Sequence, residues 1–233
     1  MESQTVWGKK MTPKTKLSKK HTLVKLAPSW REKIFSSIKS ERLKLAVAVI
    51  SATGCRPSEL ERGIVIRLRD KDLSIAIQGS KVDLESRRGQ PLRLLHIDCT
   101  TPWGEYLMQH VINSIDHRML VKYDAGGISQ RMREKSRELW PRRKSLVSAY
   151  CYRHFFAKSL KESGAGKEKI ASALGHASDL AQTAYGRVGK GKKSAGSHGL
   201  ISVEASNPIR HSKKTDRLDR FIGSVMPVSN IKK

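Results

Sequence analysis

The hydrophobic residues of this chain change their spacing twice. Between residues 29 and 61 they recur every three or four positions, which predicts amphipathic helices, and Gly54 suits the left-handed end of one of them. From residue 64 the spacing becomes two, which predicts short strands separated by polar turns. These strands are Ile64–Leu68, Leu73–Ile77 and Leu92–Ile97.

Helical spacing returns after the third strand and continues to residue 185. We expect helices at Pro102–Leu120, Ile128–Leu139, Ser148–Ser163, Lys167–Leu174 and Ser178–Tyr185. The predicted fold class is therefore α+β, mainly α-helical with a small antiparallel three-stranded sheet.

Basic residues at both ends divide the chain into three parts. Residues 1–28 contain seven Lys and one Glu and lack apolar periodicity, which predicts a flexible basic arm. Residues 29–186 hold the predicted helices and strands and form the expected folded domain. Residues 187–233 begin with a run rich in Gly and Lys, which predicts a linker and a basic C-terminal tail. Within that tail, residues 213–222 are a candidate helix.

The charge of the whole chain is strongly positive, with 46 Lys and Arg against 21 Asp and Glu and a formal net charge of +25. This excess favours a polyanion as the partner, because each neutralised phosphate releases condensed counterions, and nucleic acid is the first expectation. From charge alone, an RNA scaffold of the ribosomal kind, an anionic membrane surface and simple solubility are alternatives. The membrane is the less favoured, since no basic amphipathic helix with a broad aromatic face stands out.

Composition argues against several other classes. The longest apolar run, Leu45–Ile50, is far shorter than the roughly 20 residues of a membrane-spanning helix, and the N-terminus does not resemble a signal peptide. The cysteines Cys55, Cys99 and Cys151 form no C-x-x-C pair, which argues against a disulfide framework or a zinc site. We therefore expect a cytoplasmic protein with reduced thiols and no metal or other cofactor.

Four short motifs contain residue types that could act in catalysis. Arg56 lies in T-G-C-R-P-S-E-L at a predicted helix junction, and Lys81 lies in G-S-K after the second predicted strand. Arg153 lies in Y-C-Y-R-H within a predicted helix, and His176 in L-G-H is followed by Tyr185 in T-A-Y-G. Each motif alone has an ordinary structural explanation, such as a solvated surface charge or a helix cap. Their order and spacing together are more specific.

In this order the motifs resemble the catalytic domain of the tyrosine recombinases, the phage-integrase family, over residues 30–186. Members of that family have an Arg in T-G-x-R-x-x-E-L, a Lys on a β-hairpin, and H-x-x-R-H at the start of a buried helix. L-G-H follows about two dozen residues later, and the nucleophilic Tyr comes nine or ten residues after it. Here Arg153 and His176 are 23 positions apart, and Tyr185 follows after nine more. The implied fold is the tyrosine recombinase and type IB topoisomerase-like catalytic domain.

The resemblance implies a site-specific DNA recombinase or integrase of the kind that serves mobile genetic elements. Arg56 and Arg153 would clamp the scissile phosphate, and His176 would add a hydrogen bond. Lys81 would protonate the departing 5′ oxygen. Tyr185 would attack and form a 3′-phosphotyrosine, which keeps the bond energy, so that the reaction needs neither ATP nor a metal.

Tyr150 departs from the family pattern, because it stands at the first position of H-x-x-R, where the family has His. We include Tyr150 among the catalytic residues, since its hydroxyl can donate a hydrogen bond, but a phenol with a pKa of about 10 is a poor proton shuttle at neutral pH. Reduced rather than absent activity is expected. Tyr123 and Tyr152 are rival nucleophiles by residue type, but only Tyr185 follows L-G-H at the family's distance.

Length is the second departure. The family generally has a helical core-binding domain before the catalytic one, whereas only the basic arm precedes Ser29 here. The chain is either a minimal or truncated recombinase, or the basic arm or another subunit supplies the second half of the clamp around the DNA duplex. The implied partners are double-stranded DNA and a homo-tetramer in the synaptic complex, with residues 213–222 docked on a neighbouring protomer, and no membrane. Phosphate contacts are expected from Arg131, Arg133, Arg137, Arg142, Arg143 and Lys144.

Two other functions are alternatives at this point. A catalytically weak DNA-binding relative that regulates recombination sites would explain Tyr150 and the missing front domain. A type IB topoisomerase would use the same chemistry to nick and relax DNA without a partner site.

Overall fold

The computed structural model describes residues 22–23, 26–83, 85–185 and 199–215. Its α-helices include α1 (Trp30–Ser37), α2 (Glu41–Thr53), α3 (Pro57–Arg62), α4 (Pro102–Ile112), α5 (Ala125–Leu139), α6 (Ala149–Glu162) and α7 (Lys167–Ala173). Short 3₁₀ helices lie at Ile115–His117 and Asp179–Tyr185. The strands are β1 (Ile64–Arg69), β2 (Asp72–Gln78), β3 (Leu92–Ile97), β4 (Arg118–Val121) and β5 (Leu200–Ala205). Within these ranges no helix has the length and apolar character needed to cross a bilayer.

All neighbouring strands of the sheet are antiparallel, in the order β4-β1-β2-β3-β5. The three strands expected from the sequence form its centre, and their alternation places Ile64, Ile66, Ile75 and Ile77 in the core. The α+β class is confirmed. The prediction of three strands is wrong, because β4 and β5 extend the sheet at its two edges.

β4 falls where the hydrophobic spacing predicts the end of a long helix. That helix stops at Ile112 instead, and Asp116 and His117 have positive φ angles of 55° and 48°, which a right-handed helix does not accommodate. The chain is thereby redirected, so that Arg118–Val121 pairs with β1. A strand of 4 residues is too short for its alternation to stand out in the sequence.

β5 lies inside residues 187–233, where the sequence predicts only a linker and a basic tail. It pairs with β3, and Leu200, which is opposite Ile97 in the register, is buried. The folded part of the chain therefore extends beyond residue 186. The division into arm, domain and tail otherwise stays a prediction, because residues 1–21 of the arm and 216–222 of the candidate helix lie outside the described residues.

α2 is the central helix of the core, and residues on all of its sides are buried. Its first turn is capped by the hydroxyl of Ser40, which accepts a hydrogen bond from the backbone N–H of Leu43 at 3.4 Å. At the other end Gly54 adopts a φ of 60°, and its N–H donates to the carbonyl of Ile50 at 2.9 Å. The predicted glycine end of this helix is confirmed.

Gly54 also sets the distance between α2 and α6. A Cβ atom at this position would lie 2.7 Å from Cδ1 of Phe156, so no side chain fits while α6 keeps its place. Phe156 is buried one turn after Arg153 along α6. The absence of a side chain at Gly54 therefore lets Arg153 approach the end of α2.

Gly54→Ala is expected to lower the free energy of unfolding by about 2–4 kcal/mol, because alanine there combines a left-handed backbone with a steric clash. Gly164→Ala is the matched control: Gly164 has a φ of 78°, but an added Cβ would meet nothing within 4 Å. The control should cost only about 1 kcal/mol. Urea unfolding measures both variants, and equal losses would contradict the importance of the Phe156 contact.

Candidate active site

α6 carries the side chain of Arg153 into the centre of the domain, where the residue is only 1% exposed. Its Nε donates to the hydroxyl of Tyr185 at 2.7 Å, and Nη1 donates to the carbonyl of Gly54 at 3.0 Å. Nη2 donates to the carbonyl of Leu174 at 2.5 Å and to Nε2 of His176 at 3.2 Å. Four of the five N–H donors of the guanidinium are thus occupied, which fixes its position and orientation.

Arg153 thereby joins two other predicted residues, His176 and Tyr185, in one cluster. The rings of His176 and Tyr185 are stacked, with centroids 5.7 Å apart and 17° between their planes. His154 contacts the same tyrosine edge-on, with a centroid distance of 5.0 Å. The ring of the candidate nucleophile is therefore held by two imidazoles as well as by the arginine.

His176 is neutral at physiological pH. Burial, followed by the charges of Arg153 and Arg56, lowers its pKa to about 3. Because Nε2 accepts a hydrogen bond from Arg153, the single proton of the neutral ring lies on Nδ1. Nδ1 is buried and has no hydrogen-bond partner among the described residues, so its N–H donor is not taken up by any of them.

Tyr185 ends a short 3₁₀ helix, Asp179–Tyr185, at the position where the sequence predicts a helix. Asp179 at the start of this helix is buried, and its carboxylate accepts a hydrogen bond from the N–H of Ser212 at 3.0 Å. The ammonium of Lys161 donates to the carbonyl of Gln182 at 2.9 Å. The segment with the candidate nucleophile is therefore tied down at its start, in its middle and at its end.

Arg56 lies at the junction of α2 and α3 and is the N-cap residue of α3. Its Nη1 donates to Oε1 of Glu59 at 2.6 Å, and its backbone N–H donates to Oε2 at 2.8 Å. Pro57 at the first helical position has the φ that a helix start requires. Arg56 is close enough to Arg153 that its charge lowers the pKa of Arg153, after the larger effect of burial.

The structure adds Arg93 of β3, a residue that the sequence motifs do not contain. Arg93 is buried, and its guanidinium donates to both carboxylate oxygens of Glu59, at 3.2 and 2.8 Å. Its Nε donates to the carbonyl of Ala173 at the end of α7, at 3.0 Å. The sequence does contain a signal, because strand alternation places Arg93 on the same face as Leu95 and Ile97, which are buried.

Glu59 links Arg56 and Arg93 through one buried carboxylate. Burial alone would raise its pKa, but Arg93 and Arg56 outweigh burial and lower the pKa to about 2. The carboxylate is therefore ionised in the folded protein at neutral pH. Gly175, the glycine of L-G-H, leaves room for the Arg93 guanidinium, because a Cβ atom at this position would lie 2.6 Å from its Nη1.

Lys81 stands apart from the cluster: it is exposed in the connection between β2 and β3, and no hydrogen bond or ion pair joins its ammonium group to another described residue. The base of this hairpin is bound to α3. The hydroxyl of Ser58 donates to that of Ser80 at 2.8 Å, and the guanidinium of Arg62 donates to the carbonyl of Gly79. α3 therefore supports both the first arginine of the site and the hairpin that carries Lys81.

Tyr150 also stands apart, in the first turn of α6 with 39% of its surface exposed. No hydrogen bond joins its hydroxyl to another described residue, and its expected catalytic role stays a prediction. Tyr152 points into the core, where its ring lies 4.7 Å from that of Trp30 and burial raises its pKa. Because the Tyr152 phenol is inaccessible, Tyr185 is the better candidate for the nucleophile.

Most of the basic residues expected to contact DNA are exposed, on α5 and in the loop after it: Arg131, Arg133, Arg137, Arg142 and Lys144. Arg143 differs, because it is half-buried and its guanidinium donates to the carbonyl of Thr22 at 2.7 Å. Arg131 forms an exposed ion pair with Glu134 at 3.0 Å, and such pairs contribute little to stability. Contact with DNA stays a prediction for all of these residues.

The solved structures that resemble this fold include two recombinases. XerA recombinase matches with a TM-score of 0.51 and 20% identity, over 71% of this chain and 60% of its own. XerH site-specific recombinase, in a pre-cleavage complex with its difH substrate, matches with a TM-score of 0.50 and 19% identity, over 69% of this chain and 48% of its own. No family model and no curated protein matches the sequence.

The chain therefore has the fold of a tyrosine recombinase catalytic domain, which confirms the resemblance found in the motifs. It covers less than two thirds of the length of either recombinase. At this level of identity the similarity establishes the fold alone.

Glu59→Gln is expected to lower the free energy of unfolding at pH 7 by about 3–5 kcal/mol, because it leaves Arg93 buried without a counter-charge. The pKa of Glu59 in the folded protein, about 2, is below its ordinary value of 4.5. Its contribution is therefore present above pH 4.5 and is lost as the pH falls toward 2. Urea unfolding of both proteins across this pH range should show the difference between them shrinking on acidification.

Glu134→Gln is the control for this measurement, since it removes a carboxylate from an exposed ion pair. It should cost less than about 1 kcal/mol. A Glu59→Gln protein as stable as this control would show that the buried pair does not hold the site together.

Proposed function

We propose that this protein is a site-specific DNA recombinase that cleaves and rejoins DNA strands through a covalent 3′-phosphotyrosine. The observation that carries the proposal is the set of contacts of Arg153, whose guanidinium binds both the hydroxyl of Tyr185 and the ring of His176. Attack on a phosphodiester by a protein hydroxyl requires a nucleophile, a fixed cation and hydrogen-bond donors at one point.

Arg153 and Arg56 would hold the nonbridging oxygens of the scissile phosphate. Negative charge accumulates on these oxygens as phosphorus becomes pentacoordinate, and cations fixed nearby lower the barrier. Arg153 is fixed before DNA binds, because the carbonyls of Gly54 and Leu174 hold its two terminal nitrogens. The N–H that it now donates to Tyr185 and its one unoccupied N–H are the donors that a phosphate would take.

Tyr185 is the proposed nucleophile and Lys81 the proposed acid. The oxygen of Tyr185 forms a bond to phosphorus while the bond from phosphorus to the 5′ oxygen breaks. The phenol proton passes to water, and Lys81 gives a proton to the departing 5′ oxygen. His176 donates from Nδ1 to a nonbridging oxygen. Because the phosphotyrosine keeps the bond energy, attack by a 5′ hydroxyl reverses the step and rejoins the strand.

Double-stranded DNA is the proposed partner, held by the exposed basic residues of α5 and the loop after it and by the basic arm. One of the similar structures, XerH site-specific recombinase, is bound to its difH substrate. A synaptic homo-tetramer belongs to the same proposal. Within residues 213–222, the proposed docking segment, Thr215 is buried against its own chain and donates to Asp179 at 3.1 Å, so the docking contact falls to the residues after it.

A catalytically weak DNA-binding relative is the second candidate, and Tyr150 is the observation that favours it. The family pattern has an imidazole at this position, whereas this chain has an exposed phenol without a hydrogen bond to another described residue. A phenol transfers protons poorly at neutral pH. The two candidates differ in whether a covalent complex with DNA forms.

The wild-type protein is expected to form a covalent complex with members of a pool of nicked, radiolabelled suicide duplexes of randomised sequence, detected on a denaturing gel. Tyr185→Phe should form none, because it keeps the stacked ring but lacks the attacking oxygen. Tyr123→Phe is the matched control and should react like the wild type.

The same assay separates the alternatives. If the wild type binds DNA without forming a covalent complex, the result would contradict the proposed recombinase activity. It would support the catalytically weak DNA-binding relative. A covalent complex combined with relaxation of supercoiled plasmid, but with no recombinant products, would identify a type IB topoisomerase activity instead.

Arg153→Lys is expected to slow covalent complex formation by about 100-fold or more, because lysine keeps the charge but cannot hold two carbonyls, His176 and a phosphate at once. Arg67→Lys, at an exposed position on β1, is the matched control and should leave the rate unchanged. Single-turnover kinetics measure the effect, with melting curves to verify folding. A folded Arg153→Lys protein within about threefold of the wild-type rate would contradict the role of Arg153 as a clamp.

A further inference from the structure

After β5 the chain returns to the segment that carries the proposed nucleophile, and we call residues 206–212 the strap. The backbone N–H of Arg210 donates to the carbonyl of Ala177 at 2.9 Å. In turn, the N–H of Asp179 donates to the carbonyl of Arg210 at 3.2 Å. The strap is thus paired with the residues that directly follow His176.

Gln90 joins the strap to the hairpin that carries Lys81. The residue is 1% exposed, and its Nε2 donates to the carbonyls of His176 and Asn207, at 3.2 and 2.9 Å. Its Oε1 accepts a hydrogen bond from the backbone N–H of Asn207 at 2.9 Å. Among uncharged side chains, only an amide offers two donors and an acceptor in this way. One buried side chain therefore fixes three parts of the site relative to each other.

The backbone next to Gln90 is in direct contact with the backbone of Lys81. A Cβ atom at Gly89 would lie 2.1 Å from the carbonyl oxygen of Lys81, so the backbones on the two sides of the hairpin are in close contact. Gly89 has a φ of 75°, so glycine is favoured there for its conformation as well. A movement of residues 89–90 would therefore move Lys81.

A second tie joins the strap to the hairpin, since the guanidinium of Arg210 donates to the carbonyl of Arg87 at 2.8 Å. Between these two segments lies a cavity of about 370 Å³, lined in part by Val82 and Asn207. Because this cavity separates the hairpin from the strap, hydrogen bonds rather than close apolar packing set the position of the hairpin here.

We propose that Gln90 is a positioning residue that places Lys81 for proton transfer to the departing 5′ oxygen. This inference rests on the proposed function. Gln90 does not touch the reacting atoms and acts through the backbone of the hairpin. His176 keeps other contacts without Gln90, because its backbone N–H donates to the carbonyl of Ala171 at 2.9 Å and its ring accepts from Arg153. The loss of Gln90 should therefore slow the reaction mainly where the departing oxygen needs a proton.

A substrate with sulfur in place of the bridging 5′ oxygen tests this inference. The departing group is then a thiolate, which leaves without a proton because thiols are far more acidic than alcohols. The substrate pair is one suicide duplex captured by the wild type, prepared with oxygen and with sulfur at this position. Gln90→Met keeps the side-chain volume and removes the hydrogen bonds to His176 and Asn207. Gln109→Met, at an exposed glutamine of α4, is the matched control.

Gln90→Met is expected to form the covalent complex about 10- to 100-fold more slowly than the wild type on the oxygen substrate, and within about threefold of the wild-type rate on the sulfur substrate. Lys81→Ala should show the same pattern with a larger loss, and Gln109→Met should match the wild type on both substrates. Equal losses of Gln90→Met on both substrates, or no loss on the oxygen substrate, would overturn the positioning role.

Arg210→Ala provides a second variant, because the residue is exposed and the change removes the hydrogen bond to Arg87 together with one surface charge. This variant should form the covalent complex more slowly than the wild type on the oxygen substrate, with a smaller loss of rate than Gln90→Met. On the sulfur substrate its rate should equal that of the wild type. Arg118→Ala removes the same charge from an exposed position on β4 and should leave both rates unchanged. If the wild type captures no suicide duplex, the proposed function fails and this inference fails with it. If the wild type and Lys81→Ala behave as expected and Gln90→Met does not, only this inference fails.

Discussion

The buried carboxylate of Glu59 is the interaction on which the rest of the site depends. It lies between the guanidinium groups of Arg56 and Arg93, whose charges would otherwise repel each other in an interior of low dielectric constant. Because Arg93 belongs to the sheet and Glu59 to α3, the same ion pair also fixes the sheet against the helices. This contact therefore links the cationic site to the fold around it.

Helix ends balance the positive cluster together with Glu59. Arg153 donates to the carbonyls of Gly54 and Leu174, which directly follow α2 and α7, and Arg93 donates to the carbonyl of Ala173. Carbonyls at a helix C-terminus carry partial negative charge and lack partners within the helix. Backbone groups thus stabilise the buried arginines without additional acidic side chains, which would compete with a phosphate for the same donors.

Local patterns in the sequence predict much of this structure, but they do not reveal contacts between residues that are far apart in the sequence. Strand alternation locates β1, β2 and β3, and the order of the motifs predicts four residues that lie in the candidate site, Arg56, Arg153, His176 and Tyr185. Alternation also places Arg93 on a buried face, but nothing local identifies Glu59, 34 positions away, as its partner. The same holds for Gln90 and Asn207, 117 positions apart. The edge strands are not predicted because β4 is short and β5 follows a sequence whose composition is typical of a linker.

The pairing of β5 with β3 anchors the chain again from Gly199 onward, so that the chain is fixed on both sides of Tyr185. A chain fixed at two points has less conformational freedom than one fixed at a single point, so that a Tyr185 displaced from Arg153 stays near it. In the proposed reaction this raises the effective concentration of the phosphotyrosine at the site. A broken DNA strand held by Tyr185 would then be rejoined more often than lost.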